Sequence, residues 1–453
     1  MTLTQKPTRQ VRRALARQIP TVPTQRLTEE IMAKGAARAA AAATAAAVNQ
    51  GQLTDADSRF GRLAIWRRYG WCPQCETWQF PADHALGLAS NAPASPYVQE
   101  ISGWLVTKMP PEQAVAVAQR LGLDLSRCRL DREAHRQGLK AQARRAQSLA
   151  QVDTWESLQQ LARDTEGPPS QPFTLVIEID AWNIRERDDW GQTKTLREQG
   201  EKTERWHWVY MATVFRLDHR GQTAGQRAVL TQRGYVATRL GLGLEALLPQ
   251  LCRETLQRGL GQAQQVLVIA DGAVWIWNLV QDPFPKARQQ LDLWHAEEHL
   301  WAVAHELQGR GTPAAHAWVA PLLQQVRNDQ TSALIADLTE LKPRLQEAQQ
   351  KKLQTQIEYF EHNAHRMKYK EVIAAREAVE HGTATAEQIK LANQPLGSGA
   401  IESACRHYQC RFKRTGQFWT TAGDEALLCL ETFWRNGRWH ELYPHAKANV
   451  ALN

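Results

Sequence analysis

FTLVIEID, residues 173–180, is an apolar, β-branched run that stops on an aspartate. Its composition predicts a central strand over 173–179, buried on both faces, with the Asp180 carboxylate at its end. QVLVIADG, residues 265–272, repeats the design and closes on Asp271 in an Asp-Gly turn. Between them, HWVYMATVFRL (207–217) and QRAVLTQRGYVAT (226–238) flank Asp218-His219-Arg220-Gly221 and read as an antiparallel hairpin. The segment 242–259 then carries Leu242, Leu244, Leu247, Leu248, Leu251 and Leu256 on a helical period. In LDLWHAEEHL (291–300), residues 287–293 read as a further strand, and Asp292 with His295 forms a D-x-x-H at a helix entry. An Asp N-cap followed by a first-turn His gives the same letters.

A third acid comes much later, in QPLGSGAIESACRHYQCRFKRTG, residues 394–416. Glu402 follows the Gly397-Ser398-Gly399 turn, and Arg406, Gln409 and Lys413 share its helical face. Carboxylates at neighbouring strand ends converge on one place, and hard oxygen ligands suit Mg²⁺ or Mn²⁺. Two such ions can serve in-line displacement at phosphorus. Turn capping explains Asp180 or Asp271 taken singly; the set of three points to metal-dependent phosphoryl transfer. The order of strand, hairpin, helix, two strands and an acid-bearing helix is ribonuclease-H-like. The fold class expected is therefore α/β, a mixed sheet interrupted by an all-α insertion at 296–392. Leu334, Leu338, Leu341 and Leu345 give that insertion its apolar seam.

The segments IDAWNIRERDDWG, LVIADGAVWIWNL, LDLWHAEEHL and PLGSGAIESACRHYQCRFKRTGQFWTTAGDEALLCL resemble bacterial insertion-sequence transposases of the IS-Kra type, DDE enzymes related to the mutator-like group. The resemblance runs from about residue 60 to about 445. It implies strand cleavage and transfer at element ends by two Mg²⁺ or Mn²⁺ ions, with Asp180, Asp271 and Glu402 as catalytic acids. It also matches Asp292 and His295 to a supporting C/D-x-x-H signature. Arg406, Arg411, Lys413 and Arg414 are then expected on DNA phosphates. Trp294 and Trp301 would receive an unstacked base, or else pack in the core. Double-stranded DNA (terminal inverted repeats and target) is the implied partner, and a homodimer or larger oligomer the implied assembly. One departure is Ala181 after Asp180, where a Gly is common. A noncatalytic DNA-binding descendant and a structure-selective nuclease of the same fold are the rivals.

The remaining features fit that frame. Net charge is +8, and the excess is clustered: eight Lys or Arg against two Glu in residues 1–50, and seven against two acids in 127–145. Clustered positive charge is the footprint of a polyanion partner. A basic, Ala-rich arm (1–50), helical over Ala36–Val48, would precede a mainly helical DNA-binding region (51–165). The catalytic core would occupy 170–295 and resume at 393–445. Cys72-x-x-Cys75 has the spacing of half a zinc site. His84 and Cys128 are candidates to complete it, and two thiols in a tight turn are the alternative. No run approaches the roughly 20 apolar residues of a bilayer span. The seven cysteines lack disulfide-framework spacing. A cytoplasmic, nucleoid-associated protein is expected.

Overall fold

The computed structural model describes residues 47–58, 61–74, 76–80, 83, 94–152, 154–164, 172–189, 191–222, 228–239 and 243–444. Two compact units divide them, Met1–Ser102 with Pro111–Leu130, and Gly103–Pro110 with Asp131–Asn453. Among the described residues no helix is long and apolar enough to cross a membrane.

The first unit opens on an antiparallel sheet of β1 (Ala47–Ser58), β2 (Gly61–Cys72) and β3 (Thr77–Gln79). The region is thus less helical than its composition predicts, and Ala47 and Val48 stand in a strand. Pairing of β1 along β2, from Ala47↔Trp71 to Ser58↔Gly61, overrides the local helix preference of alanine. Cys72 ends β2; Cys75, His84 and the arm before residue 47 lie outside the described residues. Cys128 sits in the first turn of a 24-residue helix, Arg127–Ala150.

The second unit is built on a five-stranded mixed sheet. Its strands are β4 (Thr174–Glu186), β5 (Arg205–Arg216), β8 (Gly234–Arg239), β9 (Gln265–Ala270) and β10 (Arg288–Leu291), in the order β10-β9-β4-β5-β8. The pairs β4·β9 and β9·β10 are parallel, and β4·β5 and β5·β8 antiparallel. Leu175, Ile177 and Ile179 face a core shared with two helices, Gly243–Gln257 and Val274–Gln281. Val176, on the other face, packs with Leu267, Ile269 and Ala400. Both faces of β4 are covered, as its composition predicts.

Two expectations change in detail. The predicted hairpin is not closed at 218–221. That turn leads into a separate two-stranded piece, β6 (Arg220–Gln222) with β7 (Ala228–Leu230), and β8 begins only after Gln232 at φ 57°. β4 also does not end at Asp180: it runs on to Glu186, paired with β5 throughout. The ladder to β9 is what stops, at Glu178↔Ile269.

After β10 the chain leaves the sheet through the helices Leu293–Gln308, Pro313–Arg327, Thr331–Leu341, Glu347–Asn363, Lys370–Glu380 and Ala386–Ala392. These form their own core around Leu300, Leu334, Leu338, Leu353, Ile357 and Phe360, with Leu341 and Leu345 at its margin. The chain returns along β10: Gln290 donates to Pro395 O at 2.9 Å and Leu293 N to Leu396 O at 3.0 Å. It then enters the helix Gly399–Phe412, which carries Glu402 in its first turn.

Candidate functional site

Strand register places three aspartates in a row. The parallel pairings Glu178↔Ile269 and Leu291↔Ala270 set Asp180, Asp271 and Asp292 at one level on adjacent chain segments. Neighbouring strands are about 4.8 Å apart, so carboxylates at one level on one face crowd each other. The crowding is visible at Asp180: burial and the nearby Asp271 charge raise its pKa, against the Ala181 N–H that it accepts at 2.6 Å. Asp271 Oδ1 accepts the N–H of Ala273 at 2.9 Å, which folds the Asp-Gly turn.

Asp292 does two jobs at once. Its Oδ1 caps the following helix, accepting Trp294 N at 2.6 Å and His295 N at 3.1 Å. Its Oδ2 accepts the N–H and the hydroxyl of Ser398. The Gly397-Ser398 turn is thereby fastened to the end of β10. Burial works against the Asp292 charge, but His295 and Ser398 outweigh it and hold the carboxyl below its ordinary pKa. His295 Nδ1 lies 3.5 Å from Asp292 Oδ2, and that carboxylate lifts the imidazole to about 9. At neutral pH His295 is a cation among acids.

Glu402 arrives from the helix. It is about one-third exposed and lies 3.7 Å from Arg406. Its carboxylate comes within 4.8 Å of ligand atoms of both Asp292 and His295, a set with the geometry to hold a cation. Among the described residues, Asp180, Asp271 and Glu402 do not by themselves close to that distance. The structure therefore brings the five predicted groups into one neighbourhood, with Glu402 nearest to the Asp292–His295 pair.

Several supports carry no sequence signal of their own. Glu178, two residues before Asp180, is buried and accepts the N–H of Ile401 at 2.8 Å, which seats the first turn of the Glu402 helix against β4. Burial pushes its carboxyl up to about 8. Cys405, one turn after Glu402, contacts Met211 through its thiol at 3.9 Å, and burial with the nearby Asp180 charge raises that thiol's pKa. From the helical block, Tyr359 donates to the Asp271 carbonyl at 2.8 Å and Tyr369 to the Leu291 carbonyl at 3.0 Å. Each tyrosine fixes the backbone at, or just before, an acid. The helical insertion thus braces the site rather than merely interrupting it.

Gly272 has φ 99°, and a Cβ there would meet Tyr359 at 2.7 Å and Leu291 at 2.9 Å. Gly272→Ala should lose stability by about 1–3 kcal/mol, from left-handed strain alone, and more if Tyr359 cannot move. Denaturant titration measures this loss; an unchanged midpoint contradicts the packing described. Gly397 is needed for close approach, since a Cβ would sit 2.5 Å from the Trp294 ring.

The predicted DNA contacts divide. Arg406 and Lys413 are exposed, and Arg414 folds back to donate to the Cys410 carbonyl. Arg411 is not available: it is buried, donates to the Val106 carbonyl at 2.7 Å and lies over the Trp419 ring. Helical periodicity identifies its face but not what covers it. Trp294 is half exposed beside His295. Trp301 is partly buried and packs within the helical block against His305 and His316, as the core-packing alternative expects. Trp419 also packs inward, donating to the Phe412 carbonyl and bridging β4 at Glu186. The basic cluster 127–145 is partly spent internally, with Arg136 on Glu133, Arg144 on Glu441 and Arg145 on Glu425.

No family model matches the chain, and no curated protein matches it.

Proposed function

We propose that this chain is a DDE-type DNA transposase, cutting strands at the ends of a mobile element and joining them to target DNA. The strand order β10-β9-β4-β5-β8, with β5 alone running against the other four strands, supports reading the core as ribonuclease-H-like. The observation that carries the reading is the row of Asp180, Asp271 and Asp292 at one level across β4, β9 and β10, with Glu402 brought beside Asp292 and His295 by a helix.

The donor set fits divalent cations. It consists of hard carboxylate oxygens, partly buried, with Asp180 and Asp271 repelling each other and His295 supplying a nearby positive charge. Mg²⁺ or Mn²⁺ held by Asp180, Asp271 and Glu402 would polarise the scissile phosphate and the attacking oxygen. Asp292 has both oxygens occupied by four donors and serves to hold Ser398 and orient His295. His295, protonated, is placed to donate to a phosphate oxygen. Arg406 and Lys413 lie exposed on the Glu402 helix, where flanking phosphates can reach them. Double-stranded DNA is the proposed partner, and assembly on two element ends the proposed working state.

The test is a joining assay. Purified protein, Mn²⁺, DNA carrying the inverted repeats that flank its gene, and a supercoiled target should yield nicked ends that become covalently linked to the target. Cleaved ends that never join would assign the chain to structure-selective nucleases. Absence of metal-dependent cleavage would remove the enzymatic reading.

A further inference from the structure

We propose that the β4–β5 ribbon beyond the acids is a stacking platform for the unpaired bases of single-stranded nucleic acid. The proposal rests on the reading of the acid cluster as a DNA-processing centre and extends its contact surface.

Trp206 is 58% exposed and Trp208 46%. They alternate along β5, so both indoles stand on one face. Residues i and i+2 of a strand are separated by about 6.6–6.8 Å, which is twice the base-stacking distance of about 3.4 Å. One base can therefore enter between the two rings. Arg185, the register partner of Trp206, holds its guanidinium 5.6 Å from that ring and 4.8 Å from Phe418. Among the described residues it makes no ion pair, which leaves its charge for a phosphate. Glu204, the acid closest in sequence to these tryptophans, is taken by Arg187 and Arg197.

The platform lies on the sheet face of Ile177 and Ile179, opposite the face that carries Asp180, and runs toward the chain that follows Asp271. Tyr210, next on the same face, packs against Trp275 at 4.8 Å between centroids. Trp275 lies four residues after Asp271, and its neighbour Val274 is 62% exposed. Core packing accounts for Tyr210 and Trp275, but it leaves about half of each outer indole in water. Aromatic faces interleaved with an unpaired cation suit a nucleic acid strand better than an apolar protein partner.

The test titrates the full-length chain, in EDTA, with a labelled oligothymidylate, read by anisotropy and by quenching of tryptophan fluorescence. The Trp206→Ala/Trp208→Ala double variant should weaken binding at least tenfold, and Trp206→Phe/Trp208→Phe should stay within about threefold of the parent. A thermal melt on each variant confirms folding. Unchanged affinity in the alanine variant overturns the proposal. So does a fall in oligomer size with affinity unchanged, which assigns the patch to a second copy of the chain. Omitting the metal separates the two ideas. A protein that binds through these tryptophans but never cleaves with Mn²⁺ defeats the enzymatic reading alone, and one that cleaves without needing them defeats the platform alone.

Discussion

Asp180→Asn, Asp271→Asn and Glu402→Gln should each abolish metal-dependent strand cleavage, with losses of about 10³-fold or more. Removing one carboxylate from a two-cation site forfeits several kcal/mol of transition-state stabilisation, and each 1.36 kcal/mol is tenfold in rate. Asp180→Asn carries a second signature. Burial and Asp271 raise the Asp180 pKa in the folded chain. For an acid so raised, the unfolded state releases its proton first, so stability falls as pH climbs from the ordinary carboxylate range through the folded value. A neutral Asn escapes that penalty. In EDTA at pH 8, Asp180→Asn should therefore melt higher than the parent while being inactive. A variant that loses both activity and stability would mark Asp180 as structural.

Glu178→Gln should give a large change in pH-dependent stability. Glu178 is fully enclosed, and burial lifts its carboxyl from 4.5 to about 8, against the Ile401 N–H that favours its charged form. Below about pH 4.5 the folded and unfolded states both hold the proton. Between there and about pH 8 only the folded state does, so stability declines by up to about 1.4 kcal/mol per pH unit. Above about pH 8 the loss is complete. Gln keeps an acceptor for Ile401 and has nothing to ionise. Melting curves in EDTA from pH 5 to 9 should show a falling midpoint for the parent and a flatter one for Glu178→Gln, with the gap widest at high pH. Parallel curves would mean that the carboxyl reaches solvent.

The sequence is most explicit where local composition and tertiary environment agree. The runs before Asp180 and Asp271 could be read as strands because burial on both faces demands continuous apolar side chains. Asp292 at a helix entry and Glu402 after Gly397-Ser398-Gly399 were legible from turn and cap chemistry. Register was not legible, since nothing in either strand states that Glu178 lies opposite Ile269. Glu178 itself resembles the polar member of an alternating strand, and only the arriving Ile401 N–H gives it a role. Tyr359 and Tyr369 reach their carbonyls across 88 and 78 residues of chain, a separation that no local pattern encodes. Arg411 is buried because periodicity defines a helical face, whereas a neighbouring segment decides whether that face is open. At Ala47 and Val48, strand pairing overrode composition.

The central claim is that Asp180, Asp271 and Glu402 share divalent metal. Crystals soaked in Mn²⁺ and measured at the manganese absorption edge test it directly. Anomalous peaks are expected between Asp180 and its two partner acids, with Glu402 drawn toward the aspartates and Asp292 still bound to Ser398. A single peak held by Asp292, His295 and Glu402, with Asp180 left unligated, would contradict it.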